Sequence, residues 1–191
     1  MPGERELSYT NREIGTILFF HRGRQSITPS TKYSPMKSLS LHTIGFTQKT
    51  AEQFFGMMRD ADIDRIIDVR LKNDSQIAGF AKSPNLQYFA KELCGIDYHH
   101  LPFLAPDQRL FTSYKNEKTM LWPDFRDRFR ELMDVRHVEE KVAPDLLDGA
   151  CLLCSEHQPH ECHRTLVAEY LRERWNVAIN IVHLVDFQPE P

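Results

Sequence analysis

The segment from Cys151 to Leu171, CLLCSEHQPHECHRTLVAEYL, carries the densest group of chemically active side chains in the protein. It contains three of the four cysteines of the chain, together with three histidines and several carboxylates. Thiols, imidazoles and carboxylates are the groups from which proteins build metal sites, nucleophilic thiols and acid–base pairs. The segment therefore predicts a functional site, and the spacing of its residues indicates which of these chemistries is favoured.

The first two cysteines of this segment belong to a predicted strand, and they differ in their surroundings. Residues three apart on a strand point to opposite faces, so Cys151 and Cys154 are badly placed to share one metal ion. Cys151 lies inside an apolar run and is interpreted as a small buried hydrophobic residue. Cys154 lies where the strand ends, which is a typical position for a functional group.

Cys162 is predicted to lie in the first turn of the following helix, beside His163 and Arg164. A helix N-terminus and neighbouring positive charges stabilise a thiolate, so we expect Cys162 to react more readily than Cys94 or Cys151. Three interpretations stay open: a zinc site, a catalytic thiol or acid–base site, or a structural helix start. The zinc site would use Cys154, Cys162, His163 and one of His157 and His160; the catalytic site would use Cys154, Glu156, Cys162 and His163.

The elements that position these residues follow from hydrophobic periodicity. Predicted strands cover residues 39–44, 63–69, 96–101, 149–155 and 178–184, and helical patterns separate most of them. We expect helices to begin at Thr47 as N-cap and at Ser83-Pro84, and a long helix to run from about 123 to 142. Alternating strands and helices predict an α/β domain with a mostly parallel five-stranded sheet and helices on both faces.

Ligands of parallel sheets bind outside the carboxyl ends of the strands, where polar residues are frequent in this sequence. Since these ends share one edge, we expect the groups that follow them to converge on a site for a small anion. Beyond the residues already named, the candidates are Gly45, Asp68, Arg70, Asn73, Ser75, Gln76, Lys82, His99 and His100.

Composition limits the class of protein. The chain has 191 residues and a formal charge of −3; residues 1–37 contribute +3, which leaves −6 for residues 38–191. An acidic domain argues against broad nucleic-acid binding, although a local contact stays open. There is no apolar run long enough to span a bilayer and no signal-peptide pattern, so we expect a cytoplasmic protein with free thiols.

The first 37 residues are polar and lack a sustained apolar period. We expect a flexible N-terminal extension over 1–37, dispensable for folding, and a single α/β domain over 38–191. Because Met36 precedes the first convincing strand, an upstream-extended gene start, with translation beginning at Met36, stays open as an alternative.

Four motifs in this order resemble the family catalogued as domain of unknown function 488. They are HTIGFTQKTAEQFF, RIIDVRLKNDSQIAGFAK, YHHLPFLAP and GACLLCSEHQPHECHRTLVAEYL, and the resemblance covers about residues 39–185. It implies a Rossmann-like three-layer α/β domain. It also implies a site formed by Gly45, Asp68, Arg70, Cys154, Glu156, Cys162, His163 and Arg164.

The leading hypothesis is an enzyme acting on a small anionic substrate, of which a nucleotide would be one example. Arg70 and Arg164 would hold the anion, since guanidinium groups suit carboxylate and phosphate. Asp68 or Glu156 would transfer protons, and Cys154 or Cys162 would be a nucleophile or redox thiol. The alternatives are a non-catalytic regulatory domain that binds a ligand or nucleic acid, and a zinc-stabilised structural module. No particular reaction, cofactor or oligomeric state is predicted.

Overall fold

Five parallel strands form one sheet at the centre of the domain. The computed structural model describes residues 38–74 and 78–185. The strands are β1 (Ser38–Gly45), β2 (Arg65–Asp68), β3 (Asp97–His100), β4 (Ala150–Cys154) and β5 (Ala178–Leu184). They lie in the order β3-β2-β4-β1-β5, and every pairing is parallel. The predicted α/β class and five-stranded sheet are confirmed, and the sheet is parallel throughout.

Helices connect the strands. They are α1 (Ala51–Asp60), α2 (Asn85–Cys94), α3 (Gln108–Phe111), α4 (Trp122–Arg136), α5 (Val138–Lys141), α6 (Pro144–Leu147) and α7 (His163–Arg174). Short 3₁₀ turns cover Gly79–Ala81 and Pro102–Leu104, and a π-helical turn covers Thr112–Asn116. Within the described ranges, none of these helices has the length and apolar character that crossing a membrane requires.

The sheet separates two hydrophobic cores, because successive strand residues point to opposite faces. On β4, Leu152 packs into the core that includes Phe129 of α4 and Leu166 of α7. Cys151 packs into the opposite core with Phe54 of α1. The layers are therefore helix, sheet, helix, as the Rossmann-like prediction requires, and Cys151 is the buried residue that its apolar strand predicted.

Two predicted helix starts were wrong by one to three residues. The first helix is capped by Thr50, whose side chain accepts from the Gln53 backbone while the Gln53 side chain accepts from the Thr50 backbone. This capping box satisfies two N–H groups at once, so it outcompetes a cap at Thr47. The second helix begins at Asn85, after Pro84 in the N-cap position rather than inside the helix.

Two further boundaries differ from the prediction. The long helix predicted over 123–142 is interrupted at His137, which adopts a left-handed conformation with φ of 50° between α4 and α5. Cys162 is the N-cap residue of α7 and has an extended backbone, so it does not lie in the first helical turn. The prediction that Cys162 is reactive because it lies in the first helical turn therefore loses its premise. The prediction of a flexible extension over residues 1–37 lies outside the described residues.

Candidate functional site

The three central strands bring the predicted site residues to one edge of the sheet. Gly45 at the end of β1 is opposite Cys154 at the end of β4, and Asp68 of β2 is opposite Leu153. Backbone hydrogen bonds extend this alignment past the strand ends, since Thr47 N donates to the Ser155 carbonyl at 3.1 Å. The loops that follow the strands therefore begin from a rigid common edge.

Asp68 and Arg70 form a buried ion pair at this edge. Arg70 Nε donates to Asp68 Oδ1 at 2.8 Å and Arg70 Nη2 donates to Oδ2 at 2.6 Å, and both side chains are at most 5% exposed. Burial alone would lower the pKa of Arg70, but the hydrogen bonds and charge of Asp68 outweigh it and raise that pKa. The aspartate holds the guanidinium charged and in one orientation.

Tyr98 and Asn73 complete the support of this ion pair. Tyr98, on β3, donates its hydroxyl to Asp68 Oδ2 at 2.7 Å, and Asn73 Nδ2 donates to the Tyr98 hydroxyl at 2.9 Å. Burial and the Asp68 charge raise the pKa of Tyr98, so the phenol stays protonated and remains a donor. Asn73 was predicted to touch a substrate; it contacts Tyr98 and is not among the residues that line the cavity beside Arg70.

One nitrogen of Arg70 has no partner among the described residues. Nη2 also donates to the Ala81 carbonyl at 3.0 Å, whereas Nη1 is buried without a hydrogen-bond partner in the described part of the chain. The guanidinium lies over the Phe46 ring, with 5.1 Å from its carbon to the ring centroid. A buried donor without a partner is costly, so the Arg70 guanidinium is incompletely satisfied at this edge of the sheet.

Arg70 lines a cavity of about 300 Å³ above the strand ends. This volume lies at the lower end of the range of small-molecule sites. Its walls combine apolar and polar side chains in nearly equal number. They are Phe46, Leu71, Pro106 and Phe111, together with Arg70, Lys72, Gln108, Ser155 and His163.

A cysteine–histidine pair lies beside this cavity. Cys154 Sγ is 3.5 Å from His163 Nδ1, and His163 Nε2 lies 2.9 Å from the Val69 carbonyl oxygen. A carbonyl can only accept, so Nε2 carries a proton and Nδ1 faces the sulfur. A base that contacts a thiol and is oriented by a third group is the arrangement found around activated nucleophiles.

The two thiols next to His163 have opposite pKa shifts. Burial opposes ionisation of Cys154, but hydrogen bonds from Cys162 and His163 and the positive charge of His163 hold its pKa well below the ordinary value. Burial raises the pKa of Cys162, and the neighbouring Cys154 thiolate raises it further. Cys162 was expected to react more readily than Cys94 and Cys151, with Cys154 unranked; the opposite pKa shifts favour ionisation of Cys154 over that of Cys162.

The charge of the histidine is consistent with this assignment. Burial lowers the pKa of His163, but the charge and hydrogen bond of Cys154 outweigh burial and raise it. Both directions favour an ionised Cys154 beside a protonated His163.

Gly45 and Arg164 fix the loop that follows Cys154. A Cβ atom on Gly45 would lie 1.6 Å from the Glu156 carbonyl oxygen, so only glycine allows the loop to pass this close. Arg164 is fully buried, and its Nη1 donates to the same carbonyl at 2.6 Å while Nη2 donates to the His157 carbonyl at 3.3 Å. Both residues were predicted to bind substrate, but the structure gives them a positioning role under the loop.

Comparison with known proteins identifies the family. The model of the family described as Domain of unknown function DUF488 matches residues 50–171, which is well over half of the chain. The chain belongs to this family. Asp68, Arg70, Cys154 and His163 all lie inside the DUF488 match, whereas Gly45 lies just before it. No curated protein and no solved structure matches the chain significantly.

The remaining predicted residues of this DUF488 domain lie at different distances from the cavity. Glu156 pairs with Lys115, with 3.1 Å between Oε1 and Nζ, and lines a smaller void beside Cys154. Lys82 is not among the residues that line either space. His100 Nε2 contacts the Arg70 carbonyl oxygen at 2.8 Å, on the backbone side of the ion pair. Ser75 and Gln76 lie outside the described residues.

Sequence reasoning missed the groups contributed by α3 and the π-helical turn. Gln108 and Phe111 line the cavity, and Tyr114 and Lys115 line the smaller void. No strand or helix was predicted between residues 101 and 123, although Asp107 carries a helix signal: its side chain accepts from Leu110 N at 2.8 Å as an N-cap. Irregular helical turns of the π type frequently occur at functional sites.

The residues considered for a metal separate into two groups. Cys154, Cys162 and His163 offer ligand atoms within 4.8 Å of one another, close enough to surround one ion. His157 lies elsewhere, with Nδ1 3.1 Å from the Thr47 carbonyl oxygen, and His160 is 83% exposed beside Glu161. Neither histidine supplies the fourth ligand that the sequence suggested.

Proposed function

We propose that this protein is an enzyme that binds a small anionic substrate in the 300 Å³ cavity and attacks it with the Cys154 thiolate. Cys154 lines the smaller void rather than the cavity, and the two spaces share Phe111, Ser155 and His163 in their walls, so the reacting end of the substrate would point past His163. The observation that carries the proposal is the hydrogen-bonded series from Cys154 through His163 to the Val69 carbonyl, beside a cavity that holds an incompletely bonded guanidinium. Nucleophile, base, orienting group and anion donor are the parts that covalent catalysis requires.

The charges at the cavity support an anionic substrate. Asp68 neutralises most of the charge of Arg70, and the thiolate neutralises the imidazolium, so each pair is close to neutral as a whole. Lys72 adds a positive charge on the wall, and the Arg70 and Gln108 side chains also line it. Phe46 and Phe111 provide apolar area for the remainder of the substrate. A compact molecule with one anionic group and a flat apolar body fits this lining.

The proton transfers are assigned to His163 rather than to a carboxylate. Both oxygens of Asp68 accept hydrogen bonds from Arg70 or Tyr98, so this carboxylate holds the anion donor in place. His163 Nδ1 faces the sulfur and can accept or return a proton during attack and release.

The first test uses an anionic and a neutral alkylating reagent of nearly equal size. At each cysteine the quantity to compare is the rate of alkylation by iodoacetate divided by the rate by iodoacetamide. This ratio should be about 10-fold higher at Cys154 than at Cys94, because Lys72 and Arg70 attract the carboxylate of iodoacetate. Peptide mass spectrometry of the full chain after short exposures gives the rate at each cysteine. Inorganic phosphate should protect Cys154 from iodoacetate if it occupies the same donors.

Matched lysine variants separate the anion site from general charge effects. Lys72→Ala should remove most of the preference for iodoacetate at Cys154, whereas Lys91→Ala, an exposed lysine on α2, should leave it unchanged. Equal ratios at Cys154 and Cys94 in the unmodified protein would refute the anion site. A regulatory domain without catalysis would keep phosphate binding after Cys154→Ser and would turn over no substrate.

Zinc is the second candidate, favoured by the proximity of Cys154, Cys162 and His163. Structural zinc sites use four protein ligands, so with three we expect less than about half an equivalent of zinc after purification without added metal. Elemental analysis of the purified protein gives the number. A full equivalent that disappears in Cys162→Ser would establish the metal site and contradict a free Cys154 nucleophile.

A further inference from the structure

Two thiols meet at the entrance of α7, although they come from different elements. Cys154 ends β4 and Cys162 precedes α7, and residues 155–161 form the loop between them. Their sulfur atoms lie within 4.8 Å of each other and of the His163 ring nitrogen. Arg164 Nη1 donates to Cys162 Sγ at 3.1 Å, which holds this thiol beside its neighbour.

A small void opens onto both thiols. It has a volume of about 20 Å³, and its walls include Cys154, Cys162, His163 and Tyr114. A space of this size takes a water-sized molecule with several polar partners. The void is much too small for the substrate of the larger cavity, so it calls for a separate explanation.

We propose that Cys154 and Cys162 form a dithiol that reduces hydrogen peroxide and closes to a disulfide. Hydrogen peroxide is a small polar molecule of the kind that fits the void. Cys154 is the thiol that attacks it and Cys162 the thiol that resolves the product. This activity shares Cys154 with the proposed function but needs neither Arg70 nor Lys72.

The reaction balances with peroxide as oxidant. The Cys154 thiolate attacks one peroxide oxygen, the O–O bond breaks, and the leaving hydroxide takes a proton from His163 to become water. This leaves a sulfenic acid on Cys154 and a neutral imidazole. The Cys162 thiol then attacks the Cys154 sulfur, an S–S bond forms, and the hydroxyl leaves as water with a proton relayed from Cys162. One peroxide has become two waters, and a small-molecule dithiol restores both cysteines by exchange.

The other two cysteines of the chain serve as internal references. Cys151 is fully buried on the opposite face of the sheet, and burial raises the pKa of its thiol. Cys94 is half-buried near the end of α2, and burial raises its pKa too. Neither cysteine lines the void, so neither should be oxidised quickly.

The test is stoichiometric oxidation of the full chain. With a chelator present and reductant removed, one equivalent of hydrogen peroxide at neutral pH should lower the free thiols from four towards two. Peptide mass spectrometry should find Cys154 joined to Cys162, formed at least about 10-fold faster than Cys94 is oxidised. Retention of all four thiols, or oxidation of Cys94 at the same rate, would overturn the proposal.

Three variants separate the roles of the residues. Cys162→Ser should stop at a sulfenic acid on Cys154 that dimedone traps, whereas Cys151→Ser should still form the disulfide at the rate of the unmodified chain. Lys72→Ala should lose the iodoacetate preference described above but keep the peroxide rate, which distinguishes failure of the anion site from failure of the peroxide reaction. The rates in the unmodified chain decide the proposal even if a cysteine variant folds poorly. A rapid disulfide between any other pair would contradict it.

Discussion

Replacement of Asp68 with alanine should lower the free energy of unfolding by about 3–5 kcal/mol, which is the usual cost of leaving one partner of a buried ion pair alone. Arg70 is only 5% exposed, so water cannot replace the lost carboxylate. Tyr98 loses the acceptor of its hydroxyl at the same time. For a chain of this length the melting temperature should fall by about 6–20 °C.

Thermal and urea denaturation of purified variants measure this effect. Asp97→Ala is the matched control, because Asp97 begins the neighbouring strand and pairs with Lys91 at 2.9 Å while both side chains are largely exposed. Its loss should leave stability nearly unchanged, since exposed ion pairs contribute little. Asp68→Asn should fall between the two, as it keeps one acceptor oxygen. Equal melting temperatures for Asp68→Ala and Asp97→Ala would mean that the buried pair does not stabilise the strand edge.

The sheet could be predicted from the sequence because the patterns that indicate strands and helices are local and recur along the chain. Five apolar runs, separated by helical patterns and in the first case ended by Gly45, specify parallel strands whatever their order. The predicted β5 bounds agree with the structure, whereas helix starts such as Thr47 were misplaced because several adjacent residues could cap. The capping box at Thr50 fixes the helix start, because the Gln53 side chain adds a second hydrogen bond to the one that Thr50 makes. A prediction that considers only the N-cap residue overlooks this second bond.

The candidate site was only half predictable, because its partners depend on strand order and on loop packing. Tyr98 reaches Asp68 because β3 lies next to β2, and strand order was not readable from the sequence. Arg164 follows a cysteine and a histidine on a helix, which favoured a ligand-binding role. Its burial against the carbonyls of Glu156 and His157 follows from the fold of the loop. The residue types were therefore identified, but their roles needed the three-dimensional contacts.

The thiolate of Cys154 should be visible in the unmodified protein at pH 7 as about one far-ultraviolet thiolate absorbance per chain, lost in Cys154→Ser. The physical reason is the imidazolium of His163 at 3.5 Å and the hydrogen bond that Cys162 directs at the sulfur. The sign follows from the lowered pKa: the absorbance should persist well below the pH at which free cysteine ionises. It should vanish only when acid protonates the Cys154 sulfur.

Removal of the His163 imidazolium should raise the pH at which Cys154 ionises. In His163→Gln the buried sulfur loses the neighbouring charge while desolvation remains, so the midpoint should rise by at least about one pH unit. Cys162→Ala should raise it less, because one donor to the sulfur is lost and the charge stays. Cys151→Ser should change nothing, since Cys151 lies in the opposite core. If the absorbance of the unmodified protein appears only above about pH 8.5, the value of free cysteine, the ion pair does not form. Attack by Cys154 would then need His163 to remove the proton as the substrate reacts, rather than a thiolate present beforehand.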